Sequence, residues 1–69
     1  MTVTVNGKTT KLADDATVAQ VLARYLGPSP ATSGVAVALN GEVVVRAEWG
    51  SRRLQPQDRV EVLAARGGG

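Results

Sequence analysis

The sequence contains no cysteine and no histidine. Without cysteine the chain can form no disulfide, no thiolate metal site and no cysteine nucleophile. Without histidine it lacks the commonest general base and the commonest metal ligand of proteins. We therefore expect neither a metal site nor a nucleophile-and-base pair that would make this chain an enzyme in its own right.

Aromatic residues and long apolar runs are also scarce. Tyr25 and Trp49 are the only aromatics, and the basic residues are scattered, with only Arg52 and Arg53 adjacent. Nucleic-acid binding would need a basic stripe with stacking platforms, so we expect no nucleic-acid partner. No apolar run approaches the ~20 residues of a membrane span, and the N-terminus does not resemble a signal peptide. The sequence therefore predicts a cytoplasmic protein with no membrane partner.

What is present fits a single small folded domain. The 69 residues are 43% hydrophobic and carry a net charge of +2. This apolar fraction is typical of an ordered globule and argues against a disordered chain. A chain of about 60 residues buries only about 60% of its extended surface, so the core must be small.

Alternation of polar and apolar residues, the period of a half-buried strand, recurs along the chain. Two Asn-Gly pairs interrupt it, and each is a strong hairpin signal because both residues tolerate a positive φ. The predicted strands cover residues 2–5, 8–12, 35–39, 43–45 and 59–65, with a turn or short helical piece at residues 47–50 and a tight turn at residues 55–58.

One segment has the period of a helix. Thr17 and Gln20 form a capping-box pattern at its start, and Gly27-Pro28 ends it because proline cannot continue a helix. Strands and one helix in this order can bury each other only if the helix packs across one face of a mixed sheet. We therefore predict an α+β fold of the β-grasp (ubiquitin-like) type, with four to five strands. The apolar stripe of the helix, expected to be core, comprises Val18, Val21, Leu22, Tyr25 and Leu26.

The chain ends in Gly67, Gly68 and Gly69. Glycine packs no side chain at a terminus, so these residues add little stability. They do let a terminal carboxylate enter a narrow slot, and at 3.3–3.6 Å per residue they can project it roughly 10 Å. The alternative interpretation is an inert, frayed end. We predict a β-grasp domain over residues 1–66 and a flexible tail over residues 67–69.

Residues 35–49, VAVALNGEVVVRAEW, closely resemble the middle of the ThiS family of bacterial sulfur carriers. The resemblance continues through an aspartate turn at Asp58 to the final Gly-Gly and covers essentially the whole chain. Its most specific part is Arg46-x-Glu48-Trp49, which the related MoaD carriers of molybdopterin synthesis generally lack. The chain departs from the family at three positions, with Val45 in place of a frequent proline, Gln57 in place of a glycine, and an additional glycine at Gly67.

The resemblance implies that Gly69 carries the chemistry, with Gly67 and Gly68 giving access. A free carboxylate is anionic near neutral pH and a poor electrophile. In this family an ATP-using enzyme, similar to ThiF or MoeB, adenylates it, and sulfur transfer then gives a thiocarboxylate. The sulfur would pass to a thiazole synthase similar to ThiG, in thiamin biosynthesis, or to another sulfur-accepting synthase. The chain itself binds no cofactor, and ATP is used by the partner.

Several side chains have two interpretations each. Trp49 is either a docking anchor or, as we favour, part of the core edge, and the Asp14-Asp15 pair is interpreted as solvated rather than catalytic. Arg66 either steers the tail into an acidic channel or is a solvated charge. Small apolar groups on the sheet face opposite the helix form either a docking surface or an ordinary partly apolar surface. The residues predicted to contribute to partner docking are Ala36, Ala38, Leu63, Ala65 and Arg66.

The sequence is compatible with four functions. The first is a carrier of sulfur for thiamin, and the second is a carrier for molybdopterin, cysteine or a sulfur-containing natural product. The third is a ubiquitin-like modifier that is joined to lysines of other proteins. The fourth is a plain interaction domain with an inert tail. The Arg46-x-Glu48-Trp49 segment favours the first of these.

Overall fold

A computed structural model describes residues 1–26 and 34–64. The sequence also predicts a loop at residues 28–34, and that loop, apart from Gly34, lies outside these ranges, as does the predicted tail. The elements are β1 (Thr2–Val5), β2 (Lys8–Lys11), α1 (Val18–Leu26), β3 (Val35–Leu39), β4 (Glu42–Val43), a 3-10 helix (Arg46–Glu48) and β5 (Arg59–Ala64).

The five strands form one mixed sheet in the order β2-β1-β5-β3-β4. β1 and β5 are parallel, whereas the other neighbouring pairs are antiparallel. The last strand of the chain therefore lies in the centre of the sheet, between β1 and β3. This arrangement, with one helix on one face, is the β-grasp fold and confirms the predicted fold class.

The helix begins where the capping box predicts. The Thr17 backbone N–H donates to Gln20 Oε1 at 2.8 Å, and the Gln20 backbone N–H donates to Thr17 Oγ1 at 3.3 Å. These two bonds satisfy backbone donors that the first helical turn leaves without partners. Val18, Val21 and Leu22 are buried, so the apolar stripe faces the sheet.

Tyr25 departs from the prediction that it is a core residue. Its side chain is 50% exposed, and its hydroxyl accepts a hydrogen bond from Asn6 Nδ2 at 2.8 Å. Helical spacing predicted the correct side of the helix for Tyr25. Its hydroxyl, however, lies at the turn between β1 and β2, where it contacts the side chain of Asn6. The prediction was therefore wrong for burial and right for the side of the helix.

The core combines the inward side of the sheet, one side of the helix and the irregular segment before β5. Among the described residues no polar or charged residue is buried. Each buried aliphatic side chain stabilises the fold by about 1.5–3 kcal/mol relative to full exposure. The buried cluster comprises Val3, Val5, Val18, Val21, Leu22, Val37, Leu39, Val44, Trp49, Leu54, Val60 and Val62.

The fourth strand is shorter than predicted. The sequence favoured residues 43–45, but β4 covers only Glu42–Val43. Val44 then enters the core, and its N–H donates to the Val37 carbonyl at 2.9 Å. Val45 is exposed and precedes the 3-10 helix. Val43, Val44 and Val45 are exposed, buried and exposed in turn, so the alternation of side chains continues although the strand ends at Val43.

The turns use positive φ angles as predicted. Asn6 and Asn40 both have φ of 52°, and each is followed by a glycine in the same region. Gln57 has φ of 70° at the position where the family usually has glycine. A side chain in the left-handed region costs about 1–2 kcal/mol, so this turn is strained by the substitution.

Candidate docking surface and tail exit

The strand that leads to the predicted tail is the central β5. Its register with β3 pairs Val37 with Val62 and Val35 with Ala64. Five predicted site residues follow this strand directly and lie outside the described residues, so their predicted roles stay predictions. These residues are Ala65, Arg66, Gly67, Gly68 and Gly69.

An asparagine side chain fastens the distal part of β5. Val62 N–H donates to Asn6 Oδ1 at 2.8 Å, and Asn6 Nδ2 donates to the Val62 carbonyl at 3.2 Å. β1 ends at Val5, so the side-chain amide of Asn6 continues the ladder that the backbone of β1 no longer provides. The same amide reaches Tyr25 at the end of α1. Val62, near the end of β5, is therefore fixed relative to the first hairpin and the helix.

Sequence reasoning missed this role of Asn6. The Asn-Gly pair signalled only a tight hairpin, because the partner of its side chain lies 56 residues away along the chain. One feature of the sequence could have indicated this role. Asn6 occupies a position with positive φ, where glycine would suffice if the turn were the only requirement.

The sheet face opposite the helix carries an exposed apolar strip, which we call the outer patch and define as Ala36, Ala38, Val43 and Leu63. Register places Ala36 beside Leu63, and Ala38 beside both Glu61 and Val43. Leu63 is 71% exposed and Val43 is 75% exposed, whereas Ala38 is half-buried. The predicted assignment of strand faces is confirmed for Ala36, Ala38 and Leu63. Their role in docking stays a prediction.

Val43 was not among the predicted docking residues. The sequence placed a strand around it without determining which face it occupies. The observed pairing of Val43 with Ala38 adds the largest exposed fraction to the outer patch. Val43 on β4, together with Ala36 and Ala38 on β3 and Leu63 on β5, extends the apolar surface across three neighbouring strands.

Trp49 belongs to the core, which confirms the favoured interpretation. It is 8% exposed, and its indole Nε1–H donates to the Val44 carbonyl at 2.9 Å. The Arg46 guanidinium lies over the ring, 5.6 Å from its centroid, a geometry that permits a cation–π interaction. The Glu48 carbonyl accepts from Arg52 N–H at 2.8 Å. The Arg46-x-Glu48-Trp49 segment thus builds the fold between β4 and β5.

Asp14 and Asp15, interpreted from the sequence as a solvated pair, are both exposed. Asp14 is exposed and accepts a hydrogen bond from the Met1 ammonium at 3.0 Å. Across residues 1–26 and 34–64 no group of three acidic, histidine or cysteine residues is arranged to hold a metal ion. No helix in these ranges is long and apolar enough to cross a membrane.

A mixed sheet with a central last strand, one helix and an exposed apolar strip defines a small protein of the ubiquitin-like β-grasp class. The sequence profile of the ThiS family matches residues 3–69. The chain belongs to the ThiS family.

Two solved structures are similar along the whole chain. The crystal structure of the thiamine biosynthesis protein ThiS from Geobacter metallireducens is 34% identical, has a TM-score of 0.78, and both chains are covered to 100%. The solution NMR structure of a thiamine biosynthesis protein from Geobacter metallireducens is 37% identical, with a TM-score of 0.76. In that comparison 100% of this chain and 88% of the other are covered. No curated protein sequence matches the chain at a significant level.

Proposed function

We propose that this protein is a sulfur carrier for thiamine biosynthesis, and that the carboxylate of Gly69 is its reactive group. The observation that carries the proposal is the family match, which extends to residue 69 and so includes the final glycines. The similar structures, both of thiamine biosynthesis proteins, support the choice of pathway. A carrier of this kind is the substrate of other enzymes and performs no catalysis itself.

The chemistry requires two steps at one carboxyl group, the first at its oxygen and the second at its carbon. A Gly69 carboxylate oxygen attacks the α-phosphorus of ATP on a partner enzyme, forming an acyl adenylate and releasing pyrophosphate. Hydrosulfide, or an equivalent sulfur nucleophile, then attacks the carbonyl carbon and expels AMP. The product is a thiocarboxylate, whose sulfur can be transferred to a thiazole synthase. The absence of cysteine and histidine leaves no internal thiol or imidazole to consume it.

A substrate of an adenylating enzyme needs a surface that the enzyme binds and a carboxylate that reaches the active site. The outer patch would be the first and the tail would supply the second. The adenylating enzyme, of the ThiF or MoeB type, would bind the apolar strip, while the glycines pass through a slot too narrow for a Cβ. Leu63 lies only four residues before Gly67 in the sequence. A partner that binds the outer patch would therefore hold the tail, and its carboxylate, near the active site of the same enzyme. The partner enzyme binds and uses the ATP, and the reaction takes place in the cytoplasm.

Mass spectrometry of the intact protein tests the proposal. With ATP, sulfide and the adenylating enzyme, the mass should rise by the difference between sulfur and oxygen, and fragmentation should locate the change at Gly69. Omitting ATP is the control and should leave the mass unchanged. If the protein instead accumulates in cells as lysine conjugates through Gly69, without detectable thiocarboxylate, it is a modifier and the proposal is wrong.

Charge substitutions test the docking surface. Ala36→Glu and Leu63→Glu alter exposed positions, so the free energy of unfolding should change by less than about 0.5 kcal/mol. Binding would desolvate the new carboxylate without a partner, so affinity for the adenylating enzyme should fall at least about tenfold, or about 1.4 kcal/mol. Isothermal titration calorimetry measures the affinity, and denaturant unfolding measures the stability.

Ala47→Glu provides a matched control. Ala47 is exposed in the 3-10 helix, which leads to Trp49. The Trp49 carbonyl accepts from Ala19 N–H near the start of α1, at the end of the helix opposite Tyr25. This variant should bind normally. Equal loss of affinity in Ala36→Glu and Ala47→Glu would show that net charge, rather than the outer patch, governs binding.

A further inference from the structure

A groove of about 440 Å³ lies between the edge strand β2 and the helix, away from the outer patch. Its floor is apolar and consists of Val5, Leu12 and Val21, of which Val5 and Val21 are buried. Basic residues line it as well, namely Lys8, Lys11 and Arg24, and all three are exposed. Within residues 1–26 and 34–64 no acidic residue lines the groove. An apolar floor beneath a cationic rim matches a ligand that carries both apolar and anionic groups.

The groove follows the open backbone edge of the sheet. β2 is the outermost strand, and its pairing with β1 places Lys8 opposite Val5 across a two-residue turn. In this antiparallel pattern alternate residues bond to the neighbour, so Thr9 and Lys11 direct their backbone groups to the open side. The Lys11 carbonyl there already accepts from Arg24 Nη1 at 3.1 Å. An exposed strand edge is a template for pairing with another extended segment.

The spacing of the cations favours a chain over a compact anion. Lys8 and Lys11 lie three residues apart on one strand, so their side chains leave opposite faces of the sheet, with Lys8 on the helix side opposite the buried Val5. A single phosphate group cannot lie on both faces, whereas an extended peptide at the strand edge presents side chains to both. Edge lysines also discourage aggregation between sheets. That role alone, however, requires neither the apolar floor nor Arg24 reaching across from the helix.

We propose that this groove binds an acidic, extended segment of a partner protein as an additional strand on β2. Alternate side chains of the segment would pack on Val5, Leu12 and Val21. Its carboxylates on the opposite face would pair with Lys11, and a carboxylate at the end of the apolar contacts would pair with Lys8 or Arg24. This second surface would allow the protein to be held by one partner while the outer patch and tail engage another.

The synthetic peptide acetyl-Glu-Val-Glu-Val-Glu-Val-Glu-amide is the probe. Titrated into the full chain labelled with ¹⁵N, it should shift the amide resonances of Thr9, Lys11 and Arg24 and leave those of Ala36 and Leu63 unchanged. Binding should weaken with added salt, because these exposed charges are screened beyond about 10 Å at 0.1 M. A Lys-Val peptide of the same length should produce no shifts.

Two double variants with equal charge change separate the groove from general electrostatics. Lys8→Glu with Lys11→Glu should reduce affinity for the peptide at least about tenfold, since attraction becomes repulsion at the rim. Arg52→Glu with Arg53→Glu, at exposed positions outside the groove, should reduce it less than about threefold by the same reasoning. Both variants must retain the wild-type unfolding transition.

Three results would overturn the inference. One is a peptide that shifts other surfaces or none. Another is an equal loss of affinity in the two double variants, which would indicate attraction by net charge alone. A third is inorganic pyrophosphate that shifts Thr9 and Lys11 and displaces the peptide, which would indicate a site for small anions. None of these measurements involves ATP or Gly69, so the groove and the proposed carrier function are tested separately.

Discussion

Removal of Gly68 and Gly69 should abolish ATP–pyrophosphate exchange by the adenylating partner and leave the free energy of unfolding nearly unchanged. The exchange requires a carboxylate that reaches the α-phosphorus of ATP. Removing two residues at 3.3–3.6 Å each withdraws it by roughly 7 Å. Terminal glycines bury little surface, so stability should change by less than about 0.5 kcal/mol. The truncated chain should still bind the partner through the outer patch.

Single substitutions within the tail refine this experiment. Gly69→Val keeps the length and the carboxylate but adds a branched side chain, so exchange should be lost if the slot is narrow. Gly67→Ala is the control, because members of the ThiS family usually carry a side chain at that position, and exchange should persist. Radioactive pyrophosphate incorporated into ATP measures the rate. A truncated protein that still supports exchange would place the chemistry elsewhere in the chain.

The outer patch and the tail make independent contributions under this proposal. Leu63→Glu should weaken binding of the partner, whereas the truncation should prevent adenylation after binding. A variant that binds normally but is not activated therefore identifies a defect at the tail. A variant that is activated only at high protein concentration identifies a defect at the patch. These two phenotypes distinguish docking from chemistry without a structure of the complex.

Local patterns predicted most of the elements correctly. The capping box of Thr17 and Gln20 marked the beginning of the helix, and both Asn-Gly pairs marked tight hairpins. These signals act within three or four residues, so the sequence records them directly. The alternation in β3 and β5 also predicted which faces are buried, because one periodic pattern determines the orientation of a whole strand.

Long-range contacts account for what the patterns did not predict. Asn40 Oδ1 accepts from Arg59 N–H at 2.9 Å, and its Nδ2 donates to Asp58 Oδ1 at 2.9 Å. Asn6 binds Val62 in a related way near the other end of β5. Both asparagines therefore form turns and also fix the central strand. Neither second role follows from the dipeptide alone, because the partner strand comes later in the chain.

Exposure at element boundaries was equally hard to predict. Val44 enters the core at the point where an extended strand was expected to continue, and Tyr25 remains half-exposed on an otherwise buried stripe. Each residue also takes part in a medium-range or long-range hydrogen bond: the Trp49 indole donates to the Val44 carbonyl, and Asn6 Nδ2 donates to the Tyr25 hydroxyl. Periodicity describes the average direction of an element and contains no information about such contacts.

Replacement of Trp49 should be among the most destabilising single changes in the domain. Trp49→Ala removes a buried ring from the core, deletes the bond to the Val44 carbonyl and leaves Arg46 without the aromatic surface beneath it. Truncation of a large buried aromatic costs about 3–5 kcal/mol. A domain of this size has a total stability of only about 3–10 kcal/mol, at about 0.05–0.15 kcal/mol per residue. The variant should therefore be partly or wholly unfolded at room temperature.

Trp49→Phe separates the packing of the ring from its hydrogen bond. Phenylalanine preserves an aromatic ring in the core but leaves the Val44 carbonyl without its donor, at a cost of about 1–3 kcal/mol. Urea unfolding followed by circular dichroism compares the three proteins, since both variants lack the only tryptophan. The expected order of stability is wild type, then Trp49→Phe, then Trp49→Ala. If Trp49→Ala unfolds within about 1 kcal/mol of wild type, below the range for losing a buried aromatic, the ring is not a core residue. A loss of partner binding in that stable variant would then restore Trp49 as a docking anchor.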